Sequence, residues 1–169
     1  MKQSEQINIQ ELFENIQKDP SLITTMNVNE LLNIVKDDNN STKYLLNKTF
    51  DVIKTDILYT LTNNFPYLSS YQIDSFSKTL FDFRYVDEIY ELHKGKYVRW
   101  IKINHNSTNN IPKLTTGGFV VNIKFLDNGI YILCKNNRNQ FIQYKYDDCI
   151  TFQKLSYEEH IILMIHQTV

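Results

Sequence analysis

Residues 118–135 read GFVVNIKFLDNGIYILCK, from Gly118 through Asp127-Asn128-Gly129 to Lys135. Apolar residues recur at every second position on both sides of Asn128-Gly129, the periodicity of a half-buried strand. Asn-Gly supplies the positive φ angles that a tight turn between antiparallel strands requires. The stretch therefore predicts a β-hairpin.

The same period of two continues outward. Lys96 to Ile103 reads KYVRWIKI, Phe141 to Tyr146 reads FIQYKY, and Cys149 to Leu155 reads CITFQKL. Asn136 to Asn139 and Asp147-Asp148 are short connections, so the last four strands form a meander. Five short strands in about sixty residues must protect their edges, which predicts a closed or half-closed roll. An OB fold inserts a helix between its third and fourth strands, and the four residues available here leave no room for one. The expected class is α+β: an N-terminal helical segment, then a five-stranded antiparallel SH3-like or Sm-like barrel, then a C-terminal helix.

Before Gly95 the period is 3.6. Ile9, Leu12, Phe13 and Ile16 mark a helix over Asn8 to Lys18, stopped by Asp19-Pro20. A second helix is expected from Asn27 to the polar run ending at Asn40. Ser41 caps a third, with Leu46, Phe50, Ile53, Ile57 and Leu61 as its buried stripe and Asn63-Asn64-Phe65-Pro66 as its end. Ser69 and Gln72 have capping-box spacing, and the fourth helix carries Ile73, Phe76, Leu80 and Phe83 and continues through Tyr85 to Ile89. Ser156 with Glu159 opens the last helix, which bears Ile161, Ile162, Met164 and Ile165. The expected division is a helical region over 1–94 and a small barrel with its helix over 95–169, with one continuous domain as the alternative.

The chain is long enough, at 169 residues, to bury a core without staples. No run approaches the roughly 20 apolar residues of a membrane helix, and MKQSEQINIQ lacks an apolar signal core, so neither secretion nor a membrane is expected. Cys134 and Cys149 lie in strand-like runs, the usage of a reducing compartment. The net charge of −1 conceals a strong asymmetry. Residues 1–93 hold 8 Lys and Arg against 14 Asp and Glu, a balance of −6, whereas residues 94–155 hold 10 against 3, a balance of +7. One half is thus expected to meet an anion or an acidic partner, including the acidic half of another copy in a homo-oligomer.

Four glycines leave no phosphate loop, nucleophile elbow or dinucleotide fingerprint, and Gly117-Gly118 reads as a bend. His93, His105, His160 and His166 are dispersed and the two cysteines are fifteen residues apart, so no metal site is expected. Asp37-Asp38, Asp147-Asp148 and Glu158-Glu159 read as turn and cap residues rather than acid and base pairs. No catalytic residue and no cofactor is assigned.

What remains is a basic module with interleaved aromatics. Alternation groups Phe119, Val121, Ile123 and Phe125 on the inward face of their strand and turns Asn122 and Lys124 outward. It also separates Lys102 from Arg99, sets Lys135 beside Tyr131, and turns Lys145 away from Tyr144 and Tyr146. Lysines beside aromatic rings can track a phosphate backbone and stack bases. The candidate nucleic-acid-binding residues are Lys96, Arg99, Trp100, Lys102, Lys124, Lys135, Arg138 and Lys145. The competing expectations are a solvated lysine face over a tyrosine-rich core, and a protein-interaction or virion-structural role in which acidic helices dock on the basic barrel.

Phe83-Arg84-Tyr85-Val86-Asp87-Glu88-Ile89, Gly95-Lys96-Tyr97-Val98-Arg99-Trp100-Ile101, Leu114-Thr115-Thr116-Gly117-Gly118 and Phe152-Gln153-Lys154-Leu155 carry a resemblance. Over residues 83–160 the chain resembles uncharacterised proteins of giant nucleocytoplasmic large DNA viruses. A composition with 19 Asn and no Ala fits the AT-rich genomes of such viruses. The resemblance implies a viral source and a place in the host cytoplasm or the virion, and assigns no catalytic residue.

Overall fold

The computed structural model describes residues 8–25, 43–103 and 111–168. The helix expected from Asn27 to Asn40, its successor's cap Ser41, and His105 lie outside the described residues. Five α-helices are described: α1 (Ile9–Lys18), α2 (Ser21–Thr25), α3 (Phe50–Asn64), α4 (Ser70–Thr79) and α5 (Tyr157–Thr168). Six strands accompany them: β1 (Phe83–Tyr85), β2 (Tyr97–Lys102), β3 (Gly118–Leu126), β4 (Gly129–Lys135), β5 (Phe141–Lys145) and β6 (Cys149–Lys154). No described helix is long and apolar enough to cross a membrane. The chain forms two compact units, one from residues 1–52 and 155–169 and one from residues 53–154.

In the first unit, Asn8 Oδ1 accepts the free N–H groups of Gln10 and Glu11 and so starts α1, which buries Phe13 and Ile16. The predicted cap of α5 is formed in both directions. The Glu159 N–H donates to Ser156 Oγ at 3.2 Å and the Ser156 N–H donates to Glu159 Oε2 at 2.8 Å. The Tyr44 hydroxyl also donates to the Glu159 carboxylate. The Phe13 ring lies 5.1 Å from Tyr157 and from His160, so α5 packs with the first helix.

In the second unit, α4 opens on the predicted Ser69 and Gln72 capping box. Ile57, Leu61, Phe65, Leu68 and Leu80 from the helical segments meet Phe83, Ile101, Ile150 and Phe152 from the sheet in one core. Two expectations need correction here. Leu46 precedes α3 and is 61% exposed, so the buried stripe begins at Ile53. The fourth helix does not continue through Tyr85: it ends at Thr79, and Phe83-Arg84-Tyr85 pairs antiparallel with β6 as a sixth strand. Phe83 falls on the buried side under either period, but an aromatic-rich triplet beside the open edge of β6 satisfies its backbone there and favours the strand.

The sheet runs β1-β6-β2-β3-β4-β5, antiparallel throughout, so the expected meander of the last four strands stops at β5 and β6 pairs with β2 and β1 instead. It is open rather than a closed five-stranded barrel, because among the described strands β1 and β5 remain edges. It is nevertheless strongly curled. Trp100 on β2 stacks on Tyr144 of β5 with ring centroids 4.1 Å apart and planes 13° apart, and the Tyr144 hydroxyl lies 3.1 Å from Thr151 Oγ1 on β6. In a flat sheet, strands β2 and β5 would be about 14 Å apart at roughly 4.8 Å per strand. The concave face therefore closes over a second core of Val98, Trp100, Val120, Ile132, Cys134 and Tyr144.

That core makes stability sensitive to alkali. Burial pushes the Cys134 thiol up to about 12 and the Cys149 thiol to about 11, and it raises the Tyr144 and Tyr146 phenols as well. Free thiols titrate near 8.5 and free phenols near 10, so the unfolded chain releases these protons first. The stabilisation is complete below about pH 8.5 and is lost as pH rises through the folded values. Urea midpoints are expected to be level between about pH 7 and 8 and to fall steadily above about 9. A midpoint unchanged at pH 10.5 would contradict this account of the core.

Candidate nucleic-acid interface

The register of β3, β4 and β5 brings the outward side chains into three rows. Lys124 lies opposite Tyr131, which lies opposite Lys145; Asn122, Leu133 and Gln143 form the next row; Phe119, Lys135 and Phe141 form the third. These nine positions face away from the second core and hold no carboxylate. The third row extends onto β2, where Tyr97 pairs with Phe119 and the two rings meet edge to face at 5.0 Å. The ammonium of Lys135 stands 6.0 Å from the Phe141 ring centroid, within reach of its π face.

A β-bulge between Val120 and Asn122 sets this arrangement. The Asn-Gly turn puts Ile123 opposite Ile132; continued without interruption, it would put Val121 opposite Cys134. The extra residue puts Val120 there instead, so Val120 and Ile123, three positions apart, both serve the second core. The expected inward set of Phe119, Val121, Ile123 and Phe125 is thus corrected. Phe119 is 48% exposed, Val121 is also exposed, and Phe125 projects past the end of the core beside the turn.

Lys135 is exposed, and Lys124 and Lys145 are half-buried. Lys145 Nζ is 4.0 Å from Asp148 Oδ1, and its stem crosses Gly129 so closely that a Cβ there would lie 2.6 Å from Lys145 Cε. Asp147 is occupied otherwise, its Oδ2 accepting the Ile130 N–H at 2.9 Å. Arg138 projects from the β4 to β5 connection, whose shape is fixed by Asn136 Oδ1 accepting the N–H groups of Arg138 and Gln140. Lys124, Lys135 and Arg138 make no ion pair among the described residues.

The other four candidates lie elsewhere. Trp100 is buried in the second core, on the opposite face of the sheet. Lys102 follows it on that same face, exposed at the end of β2. Arg99 is half-buried, its Nε donating to the Thr115 carbonyl at 2.7 Å. Lys96 precedes β2, where its carbonyl accepts the Val120 N–H. Alternation puts Lys124, Lys135 and Lys145 on this outward face, and Phe141, four positions before Lys145 on β5, shares it by the same rule; Phe119 was readable only by placing the bulge. Among the described residues no three His, Cys, Asp or Glu side chains cluster as metal ligands. Set against family models, curated proteins and solved structures, the chain matches none.

Proposed function

We propose that this protein is a non-catalytic module that binds nucleic acid on the outer face of β3, β4 and β5. The supporting observation is the cross-strand register, which puts Lys124, Lys135 and Lys145 among Tyr131, Phe119 and Phe141 on strand positions that hold no carboxylate, with Arg138 at the rim and Asp148 beside Lys145 alone. We read β6-β2-β3-β4-β5 as a half-closed SH3-like roll to which β1 adds an edge strand. The resemblance to giant-virus proteins adds a setting, namely replication, transcription or packaging in the host cytoplasm or virion.

Each ammonium that neutralises a phosphate releases a condensed counterion, so affinity falls with salt by about 0.7 to 0.9 log units per log unit for each contact. Replacing Lys124, Lys135 and Lys145 together by Gln is expected to lower that slope by about 2 to 3. Lys102→Gln, on the other face, is expected to leave it unchanged. Fluorescence anisotropy across a salt series measures both, and absence of binding at low salt would end the proposal. A second reading, self-association, is favoured by the edge of β5, unpaired among the described strands, where Phe141 is 63% exposed. Light scattering of the protein alone at rising ionic strength separates the two, because a dimer joined edge to edge by backbone hydrogen bonds and the Phe141 rings persists as salt rises, whereas a monomer at all salt concentrations ends this second reading.

A further inference from the structure

We infer that the ligand of this face is a single strand with free bases, an inference that rests on the nucleic-acid reading above. The two most informative residues are not the lysines. Phe119 and Phe141 are 48% and 63% exposed and carry no hydrogen-bonding group, so each gains only by covering another apolar or π surface. A duplex hides its base faces in the stack and presents phosphates outward, which would set these rings against charge. A single strand offers the base faces themselves, and stacking on aromatic side chains is how such strands are held.

The pattern of the rows fits a chain in which bases and phosphates alternate. Lys135 stands between two phenylalanines, and Tyr131 stands between two lysines, so ring and charge alternate within both of these rows. Neighbouring positions are about 5 Å apart across the strands and about 7 Å apart along them, so a flexible strand meets a ring or an ammonium at short, regular intervals. Between these rows, the amides of Asn122 and Gln143 flank Leu133 and can reach base edges that a duplex keeps paired.

The shape of the sheet points the same way. The Trp100 and Tyr144 stack closes the opposite face, so this one is convex. A convex surface meets a rigid duplex along a line but lets a flexible strand drape over it. Nor does it enter the groove: the major groove is about 12 Å wide and admits two strands of sheet, whereas this face uses three.

The test uses the full chain at fixed low salt with three labelled probes of equal length, on the order of ten nucleotides: a mixed-sequence single strand, its duplex, and an abasic strand with the same phosphates. The single strand is expected to bind at least tenfold more tightly than either of the others. Phe119→Leu and Phe141→Leu are each expected to weaken single-strand binding about tenfold, without changing its salt slope and without affecting the abasic probe. If the duplex or the abasic strand binds as tightly as the single strand, the inference fails while charge-driven binding stands. If no probe binds, both fall. The comparison of probes on the unmodified protein decides the matter even where a variant fails to fold.

Discussion

Arg84→Ala is expected to lower the free energy of unfolding by roughly 3 to 5 kcal/mol, the cost of stranding the partner of a buried charge. Arg84 is 1% exposed although it lies at the centre of a strand, directly opposite Gln153 of β6. Its Nη2 donates to the Glu91 carbonyl at 2.6 Å, and its Nη1 is 3.9 Å from Glu91 Oε2. Glu91 is itself buried and accepts the Asp87 N–H at 3.1 Å, while Gln153 Oε1 accepts the His93 N–H at 2.9 Å. Two side chains of adjacent strands thus hold the segment between β1 and β2 through its backbone. Removing the guanidinium takes the counter-charge from a buried carboxylate and the donor from a buried carbonyl, and their lost hydration is then offset less well. The double change Arg84→Met with Glu91→Gln is expected to cost much less than the two single changes combined, because it removes both charges and their desolvation together. Urea unfolding followed by the emission of Trp100, the single tryptophan, measures all of these. A loss below about 1 kcal/mol for Arg84→Ala would show that solvent reaches the pair.

The same residue shows where sequence reading stops. The five strands from Tyr97 onward were legible within a residue or two, because alternation and an Asn-Gly turn are local signals. The caps at Ser69 and Ser156 were legible for the same reason. β1 was not, because its reason for being a strand is the edge of β6, about seventy residues away, and an arginine at its centre reads as surface until its buried partner is known. Within the candidate site, Lys124, Lys135 and Lys145 followed from alternation, whereas Phe119 was assigned inward because a bulge moves every residue beyond it to the other face. Alternation also shows which residues share a face without showing what covers it. β2 is covered on both: Ile101 belongs to the core shared with the helices and Trp100 to the core made by the sheet's own curl.

Trp100→Ala is therefore expected to be a stability mutation, with a cost of roughly 3 to 5 kcal/mol, and not a binding mutation. The indole is 7% exposed and fills the space between β2 and β5. Its loss opens a cavity and removes a stacked partner from Tyr144, the second effect adding about 0.5 to 1.5 kcal/mol. Tyr144 is also held by Thr151 Oγ1, so the cavity does not close simply by collapse of the ring. Trp100→Phe keeps part of the stack and is expected to cost roughly 1 to 2 kcal/mol, leaving a folded protein. Circular dichroism replaces tryptophan emission as the readout for both variants. Were Trp100 a base-stacking residue, Trp100→Phe would weaken oligonucleotide binding, and the native emission would be quenched as a strand bound. Because the indole faces the closed side of the curl while Phe119, Lys135 and Phe141 face the open side, affinity equal to the unmodified protein and an unquenched native emission are expected. Quenching that tracks binding would put the strand on the concave side of the sheet and overturn the assignment of the outer face.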